Sequence, residues 1–152
     1  MKISPPISCI LLGLASLAAS DNKPQPSPLD WNTTDQSARG KAREMANTFG
    51  MHGYRMRDGH WVGKLEKGRP VVVAVHLSAG NDYWFFASGD DPGTKLRVSI
   101  YDPEGFYTGS QCYQEGATAS SGFTALRTGP HFIQLAITEG DNTNASMVYS
   151  YK

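Results

Sequence analysis

The fold is decided by residues 96–105, which read LRVSIYDPEG. Apolar side chains alternate with more polar ones over the first six positions: Leu96, Val98 and Ile100 against Arg97, Ser99 and Tyr101. Strict alternation is typical of an antiparallel strand that has one face buried and the other in water. The remaining residues, Asp102-Pro103-Glu104-Gly105, favour a turn with proline at its second position. The stretch therefore predicts a β-strand that ends in a tight turn.

The same pattern fills the chain from Met51 onward, where period-two segments are separated by turns that contain glycine. Asp58-Gly59, between the first two segments, favours a two-residue hairpin turn. Short strands at this spacing predict a mainly β domain over residues 51–152, namely a two-sheet, antiparallel, jelly-roll-like β-sandwich of about seven or eight strands. The predicted strands cover residues 54–57, 60–65, 71–77, 83–88, 96–101, 131–138 and 147–151, with weaker segments at 111–113 and 117–125.

A helix is predicted in front of this domain, over residues 33–50. Its apolar positions recur at helical spacing and form one stripe, made of Ala38, Ala42, Met45, Ala46 and Phe49. Gly50 follows the stripe as a stop signal. Residues 21–32 carry prolines at every second position from Pro24 to Pro28, which predicts an extended, proline-rich spacer.

Residues 1–20 have the three parts of a secretory signal peptide: a cation at Lys2, an apolar run over residues 7–17, and small residues before a cleavage site. The alternative is a membrane anchor, but spanning needs about 20 consecutive apolar residues and this run is about half as long. We therefore expect cleavage, a secreted or periplasmic protein, and no membrane span in the mature chain. Because the cut removes Cys9 and leaves Cys112, an intramolecular disulfide is not expected.

Charge and composition exclude several classes of function. The 152-residue chain has 14 Lys and Arg against 14 Asp and Glu, which gives a formal net charge of zero at pH 7. Nucleic-acid binding needs clustered cations for phosphate contacts, so we expect no nucleic-acid partner. Charged residues make up 18% of the chain and there are 16 glycines, a balance that argues against a coiled coil and favours a turn-rich β protein.

Four motifs in a fixed order resemble the bacterial pre-peptidase C-terminal domain. They are Gly63-Lys64-Leu65-Glu66-Lys67-Gly68, residues 77–85 (LSAGNDYWF), residues 96–105 (LRVSIYDPEG) and residues 128–135 (TGPHFIQL). The resemblance covers about residues 54–151. It implies a jelly-roll-like β-sandwich that serves as an accessory module of secreted enzymes or as a stand-alone exported domain, with no catalytic residues to carry over. The sequence departs from the family at His131, where a tyrosine is usual, and we expect no attached protease.

The candidate catalytic groups lack the neighbours that catalysis requires. Cys112 lies in Gln111-Cys112-Tyr113, without the signature of a nucleophile. No two histidines have the spacing that places two metal ligands on one face of a strand or helix; they are His52, His60, His76 and His131. We therefore expect no enzyme activity, no catalytic residues and no cofactor.

Calcium is the one ion that the sequence leaves open. The predicted loops over residues 89–94 and 139–144 contain Asp90, Asp91 and Asp141 together with further carbonyl and amide oxygens, and calcium takes six to eight oxygen ligands. Neither loop has the EF-hand spacing. The alternative to a calcium site is that both loops are solvated hairpin turns without a metal.

Aromatic residues suggest a ligand surface. In residues 83–86 (YWFF), Trp84 and Phe86 point outward if Tyr83 and Phe85 point inward. With Tyr101, they would form a surface that stacks on sugar rings. The alternative is that the predicted helix covers Trp84 and Phe86 with its apolar stripe.

The sequence as a whole predicts an exported, non-catalytic β-sandwich that acts in binding or structural support in the bacterial envelope or outside the cell. The expected partner is a polysaccharide or an envelope protein. The alternative function is that of a carbohydrate-binding module that uses the exposed aromatic residues.

Overall fold

The computed structural model describes residues 31–57 and 61–152, with the helical side chains described from Ala38 onward. The predicted signal peptide and most of the predicted spacer lie outside these residues. The elements are α1 (Trp31–Gly50), β1 (Arg55–Met56), β2 (Trp61–Leu65), β3 (Val71–Leu77), β4 (Asp82–Gly89), β5 (Lys95–Tyr101), β6 (Gln111–Glu115), β7 (Thr118–Thr124), β8 (Gly129–Glu139) and β9 (Thr143–Tyr151). The helix begins at Trp31, so the last two residues assigned to the spacer are helical.

The strands form two antiparallel sheets. The six-stranded sheet has the order β1-β9-β4-β7-β6, with β2 also paired to β9, and the three-stranded sheet has the order β3-β8-β5. The predicted mainly β, two-sheet antiparallel sandwich is confirmed. The described residues hold nine strands, slightly more than predicted, because both of the weaker segments form strands, as β6 and β7.

The predicted hairpin around Asp58-Gly59 is wrong in its pairing. Arg55 of β1 lies opposite Tyr151, and Trp61 of β2 lies opposite Met147, so both segments pair with β9. They run in the same direction along one neighbour, which two strands of a hairpin cannot do. The reason is that β9 is nine residues long and offers a whole edge to both segments. Residues 58–60 themselves lie outside the described part of the chain.

The main core lies between the sheets and consists of the inward positions that the alternation predicts. Leu96, Val98 and Ile100 of β5 are each at most 1% exposed, and Arg97 between them is exposed. Phe85 of β4 is fully buried, and its ring stacks on Tyr149 of β9 at 5.1 Å between centroids. The other large buried members include Leu65, Leu77, Ile133, Leu135 and Met147.

A second, smaller core lies on the outside of the six-stranded sheet, beneath α1. Ala42 and Ala46 of the helix pack against Phe86 of β4 and Val148 of β9, and all four are at most 3% exposed. Alanine lets a helix approach a sheet closely, and Phe49 fills the space at the end of the stripe.

Within residues 31–57 and 61–152, no helix is both long and apolar enough to cross a membrane.

Candidate functional site

An open cleft of about 590 Å³ lies at the point where β6 begins. β6 pairs with β7 only as far as Gln111, which lies opposite Gly122, so that β7 continues through Phe123 and Thr124 beyond the last β6 partner. Residues 108–110, Leu126 and Arg127 also line the cleft. The position at which β6 begins therefore opens the edge of the sheet and produces the cleft.

Trp84 forms one wall of the cleft and also closes the helix interface. Its indole is half-buried and lies 4.8 Å from the Phe49 ring between centroids. The indole rests directly on Gly122 of the neighbouring strand, since a Cβ at that position would lie 2.3 Å from Trp84 Cε2. Glycine is thus required opposite Trp84, and the absence of a side chain there fixes where the indole lies.

His131 lies at the base of the cleft and is 1% exposed. Its Nδ1 is 3.1 Å from the carbonyl oxygen of Gly129, and because a carbonyl can only accept, Nδ1 carries the proton. The other ring nitrogen, Nε2, makes no hydrogen bond to the described residues. The ring lies 5.5 Å from that of Phe123. The base of the cleft therefore presents the Phe123 ring and one ring nitrogen that has no partner among the described residues.

The charged groups around the cleft are engaged in bonds that fix its loops. Asp82 accepts a hydrogen bond from the Thr124 hydroxyl. Asp102 Oδ1 accepts from the backbone N–H groups of Glu104, at 3.0 Å, and Phe106, at 2.8 Å, and Arg127 pairs with Glu104. Bonds of this kind make the walls rigid, and rigid walls favour binding because less entropy is lost on association.

The structure separates the three aromatic residues predicted to bind a ligand. Phe86 is fully buried beneath α1, and Trp84 is half-buried and reaches the cleft. Tyr101 belongs to the three-stranded sheet, where its hydroxyl donates to Gln134 Oε1 at 3.2 Å and its ring meets Tyr107 edge-on at 5.9 Å. The three residues therefore do not share a surface, and only Trp84 belongs to the cleft.

The two predicted calcium loops do lie side by side, but hydroxyl groups connect them. The Thr143 hydroxyl accepts from the N–H groups of Asp90 and Asp91, at 3.1 and 3.2 Å. The Thr94 hydroxyl lies 3.0 Å from the carbonyl oxygen of Asp141 and 3.2 Å from Asp91 Oδ2. The other oxygen of Asp91 accepts from the N–H of Gly93 at 2.9 Å.

The approach of these two loops requires glycine at position 140. Gly140 has φ = +91°, and a Cβ there would lie 2.7 Å from the Gly93 carbonyl oxygen. Among the described residues, no three His, Cys, Asp or Glu side chains gather where they could hold a metal ion. Threonine hydroxyls join the two loops.

The two tyrosines with shifted pKa values lie outside the cleft. The hydrogen bond that Tyr113 donates to Glu115, at 2.8 Å, raises the pKa of Tyr113, and the Glu115 charge adds to this effect. Burial raises the pKa of Tyr149, against a smaller lowering by Arg57. Both shifts favour the neutral phenol.

A second depression, of about 640 Å³, lies between α1 and the β6–β7 hairpin. It is lined by Met45 and Phe49 of the helix and by Tyr113 and Glu115 of β6. It is more open than the cleft and has no equivalent of His131 at its base. The cleft is therefore the stronger candidate site.

Sequence reasoning missed His131 as a site residue and missed the cleft itself. A signal was present, because His131 occupies the same inward alternation as Ile133 and Leu135, which are both fully buried. A histidine in a row of core residues indicates either an internal hydrogen bond or a ligand. What the sequence does not contain is the point at which β6 begins, which depends on pairing between strands.

The comparisons with known proteins leave the site to be interpreted from its own residues. No model of a known protein family matches the sequence, and no curated protein matches it. Among solved structures, the chain is similar to PliG of Aeromonas hydrophila, a periplasmic lysozyme inhibitor of g-type lysozyme. The identity is 12%, the TM-score is 0.48, and the match covers 66% of this chain and 90% of that one.

Proposed function

We propose that this chain is an exported, non-catalytic binding domain and that the cleft at the start of β6 is its binding site. The observation that carries the proposal is the combination of the half-buried Trp84 wall with the buried His131 base in one open cleft. Sites for small ligands and for inserted side chains commonly combine apolar walls with a few fixed polar groups. The cleft has apolar walls at Trp84 and Phe123, and a larger share of its lining is polar.

The non-catalytic part of the proposal rests on how the polar groups are used. Asp82, Asp102 and Arg127 each hold a neighbouring wall or loop residue. General acid and base catalysis needs a group that is free to exchange a proton with a bound substrate. The imidazole of His131 is buried, and its Nδ1 is bound to the carbonyl oxygen of Gly129. We assign its Nε2 to ligand contact.

The proposed location is the bacterial envelope or the outside of the cell. It is supported by the signal-peptide pattern of residues 1–20 and by the motifs that resemble pre-peptidase C-terminal domains. An accessory module of that kind would use its sandwich as a rigid support for one binding surface. The expected partner is an envelope protein or a polysaccharide.

A photo-crosslinking experiment tests the cleft while the ligand is still unidentified. We would place p-benzoylphenylalanine at Gln111, an exposed cleft residue, and irradiate the protein in its native host. The matched control carries the same group at Thr138, which lies on β8 outside the cleft lining. We expect adducts from position 111 only. Equal labelling at both positions, or none at position 111, contradicts the proposal.

A saccharide ligand is the second candidate, and it is favoured by the indole of Trp84 beside Gln111 and Thr124. An aromatic face flanked by amide and hydroxyl groups suits a sugar ring, which has apolar faces and a polar edge. Retention on insoluble polysaccharides tests it: Trp84→Leu keeps the apolar packing on Phe49 but removes the flat ring. Tyr107→Leu is the control, because Tyr107 is 53% exposed and lies outside the cleft lining. No retention of the unmodified protein excludes this candidate.

A further inference from the structure

The free edge of β3 is the surface that the proposed function does not use. β3 spans Val71–Leu77 with the sequence VVVAVHL and lies at the end of the three-stranded sheet. It pairs with β8 along its whole length. In the described part of the chain its other edge has no strand partner, so a row of backbone N–H and C=O groups is available for pairing.

The other edge strands of the described residues are guarded. β5 carries Lys95 and Arg97, and its end is covered where the N–H of Thr108 donates to the Ile100 carbonyl at 3.0 Å. β6 is only five residues long, is exposed throughout and ends in Glu115. β2, on the edge of β9, carries Lys64. Charges, shortness and covering loops are the devices that keep edges from pairing with other chains.

β3 is seven residues long, and no described strand covers its free edge. It has no Lys, Arg, Asp, Glu or Pro in seven residues, and four of the seven are valine. A neutral, β-branched segment of this length is a strong template for strand pairing. The contrast with the guarded edges of the same sandwich indicates that this edge has a strand partner in solution.

The side chains of β3 also remain incompletely covered. Val71, Val73 and Val75 point toward the main core but are only partly buried, and Val72 on the opposite face is 54% exposed. An added strand would cover these valines from the side. Covering apolar surface is worth roughly 25 cal/mol per Å², so the pairing gains free energy beyond its hydrogen bonds.

We propose that β3 pairs antiparallel with β3 of a second copy of this chain, across a two-fold axis at Ala74. In that register Val73 lies opposite Val75 of the second copy, and Val72 lies opposite its His76. Ala74 meets its own counterpart, so the smallest side chain of the strand lies at the axis. No like-charged Lys, Arg, Asp or Glu side chains of β3 oppose each other, and inward residues face inward residues. The sequence of β3 is thus complementary to itself, and the two three-stranded sheets become one of six strands.

The expected affinity is modest. A standard protein interface has about 20–30 residues a side, whereas β3 contributes seven. A strand pair of this size gives a dimer that dissociates on dilution, with a dissociation constant on the order of micromolar. The dimer leaves the cleft open, because no residue of β3 lines it.

Sedimentation velocity of the purified protein, over a wide range of concentrations around the expected dissociation constant, tests the association. We expect a dimer fraction that rises with concentration, and a dissociation constant about tenfold higher or more for Ala74→Lys, which opposes two cations at the axis. The control Ser99→Lys adds the same charge to the same outer face on β5. A protein that stays monomeric, or an Ala74→Lys variant that dimerises like the unmodified protein, overturns the proposal.

Disulfide trapping tests the register independently of stability. Cys112 is exposed, so the experiment uses a Cys112→Ser background. Opposed residues of an antiparallel pair have Cα atoms about 4.5–5.5 Å apart, within the range of a disulfide. Ala74→Cys is therefore expected to form a covalent dimer under mild oxidation, whereas His76→Cys, two residues off the axis, is not. Equal crosslinking of the two variants, or none, contradicts a two-fold axis at Ala74.

Discussion

The sandwich has two outer faces built on the same alternation, and the described residues cover only one of them. On the six-stranded sheet, Phe86 and Val148 point outward and are buried beneath α1. On the three-stranded sheet, the corresponding outward residues include the exposed Val72 and Arg97 and the half-buried Tyr101. Alternation therefore tells which residues share a face, but whether that face becomes interior depends on a separate element.

The composition of the two faces explains where the helix lies. The covered face surrounds Phe86 with small residues, among them Ser120 and Ser146, so that the alanine stripe of α1 approaches closely. Phe49 then inserts against Trp84 and Phe86, at 4.8 and 5.0 Å between ring centroids. The outer face of the three-stranded sheet, the bare face, carries Arg97 on β5. Burying an unpaired guanidinium under a helix would be costly. The helix lies instead over Phe86 and Val148, which are apolar.

The largest expected effect comes from truncating one aromatic residue on each face. Phe86→Ala should lower the free energy of unfolding by about 3–5 kcal/mol, because it removes a fully buried ring beneath α1 and leaves a cavity. Phe132→Ala, on the bare face, where the ring is half-buried, is the matched control and should cost roughly 1 kcal/mol. Urea denaturation of both variants measures the difference. Equal losses would mean that α1 does not stabilise the face it covers.

A smaller effect is expected from adding a methyl group to each of two glycines. Gly122→Ala places a Cβ 2.3 Å from the Trp84 ring, so the indole must shift away from β7, at a cost of about 1–3 kcal/mol. Gly40→Ala within α1 meets no atom within 4 Å and should instead stabilise the protein by about 0.5–1 kcal/mol, from helix propensity. Thermal unfolding followed by circular dichroism gives both signs. A neutral Gly122→Ala would show that Trp84 is not held against β7.

The two faces also show which features of the fold can be predicted from the sequence. The alternation in β5 and the stripe of α1 are local patterns. The first predicts the observed burial of Ile100, and the second predicts that of Ala42. The hairpin predicted at Asp58-Gly59 is wrong because a local turn signal competes with a long neighbouring edge, that of β9, which is distant in sequence. The sequence also leaves open whether α1 covers Trp84 and Phe86, since that depends on which face accepts a helix.

The candidate site is less accessible to sequence reasoning for the same physical reason. Alternation alone identifies Trp84, but His131 and the cleft depend on where β6 starts to pair with β7, at Gln111 opposite Gly122. The sequence suggests calcium ligands in the two acidic loops but does not predict that the loops lie side by side. Their contact depends on Gly140 and on hydroxyl groups, which carry no distinctive motif. Sites assembled from loop ends are specified by pairing across the sheets and are therefore the hardest features to predict.

The smallest expected effect concerns the polar groups trapped on the covered face. Ser146 lies on the same face as Val148, is fully buried, and its hydroxyl has no hydrogen-bond partner among the described residues. A buried hydroxyl without a partner has lost its bonds to water and gained nothing in return. Ser146→Ala should therefore leave the free energy of unfolding unchanged or raise it by up to about 1 kcal/mol. Ser99→Ala, on the bare face, is the control and should stay within about 0.5 kcal/mol of the unmodified protein, with urea denaturation again as the measurement.

A clear loss of stability in Ser146→Ala would change the comparison between the faces. It would mean that the hydroxyl does find a partner beneath α1, so that the helix is held by polar bonds as well as by its alanine stripe. The expected gain would mean that the helix lies on a face still adapted in part to water, where Ser120 and Ser150 are buried in the same way, without partners among the described residues. In that case the two faces differ less in their residues than in their burial, because α1 is what makes one of them interior.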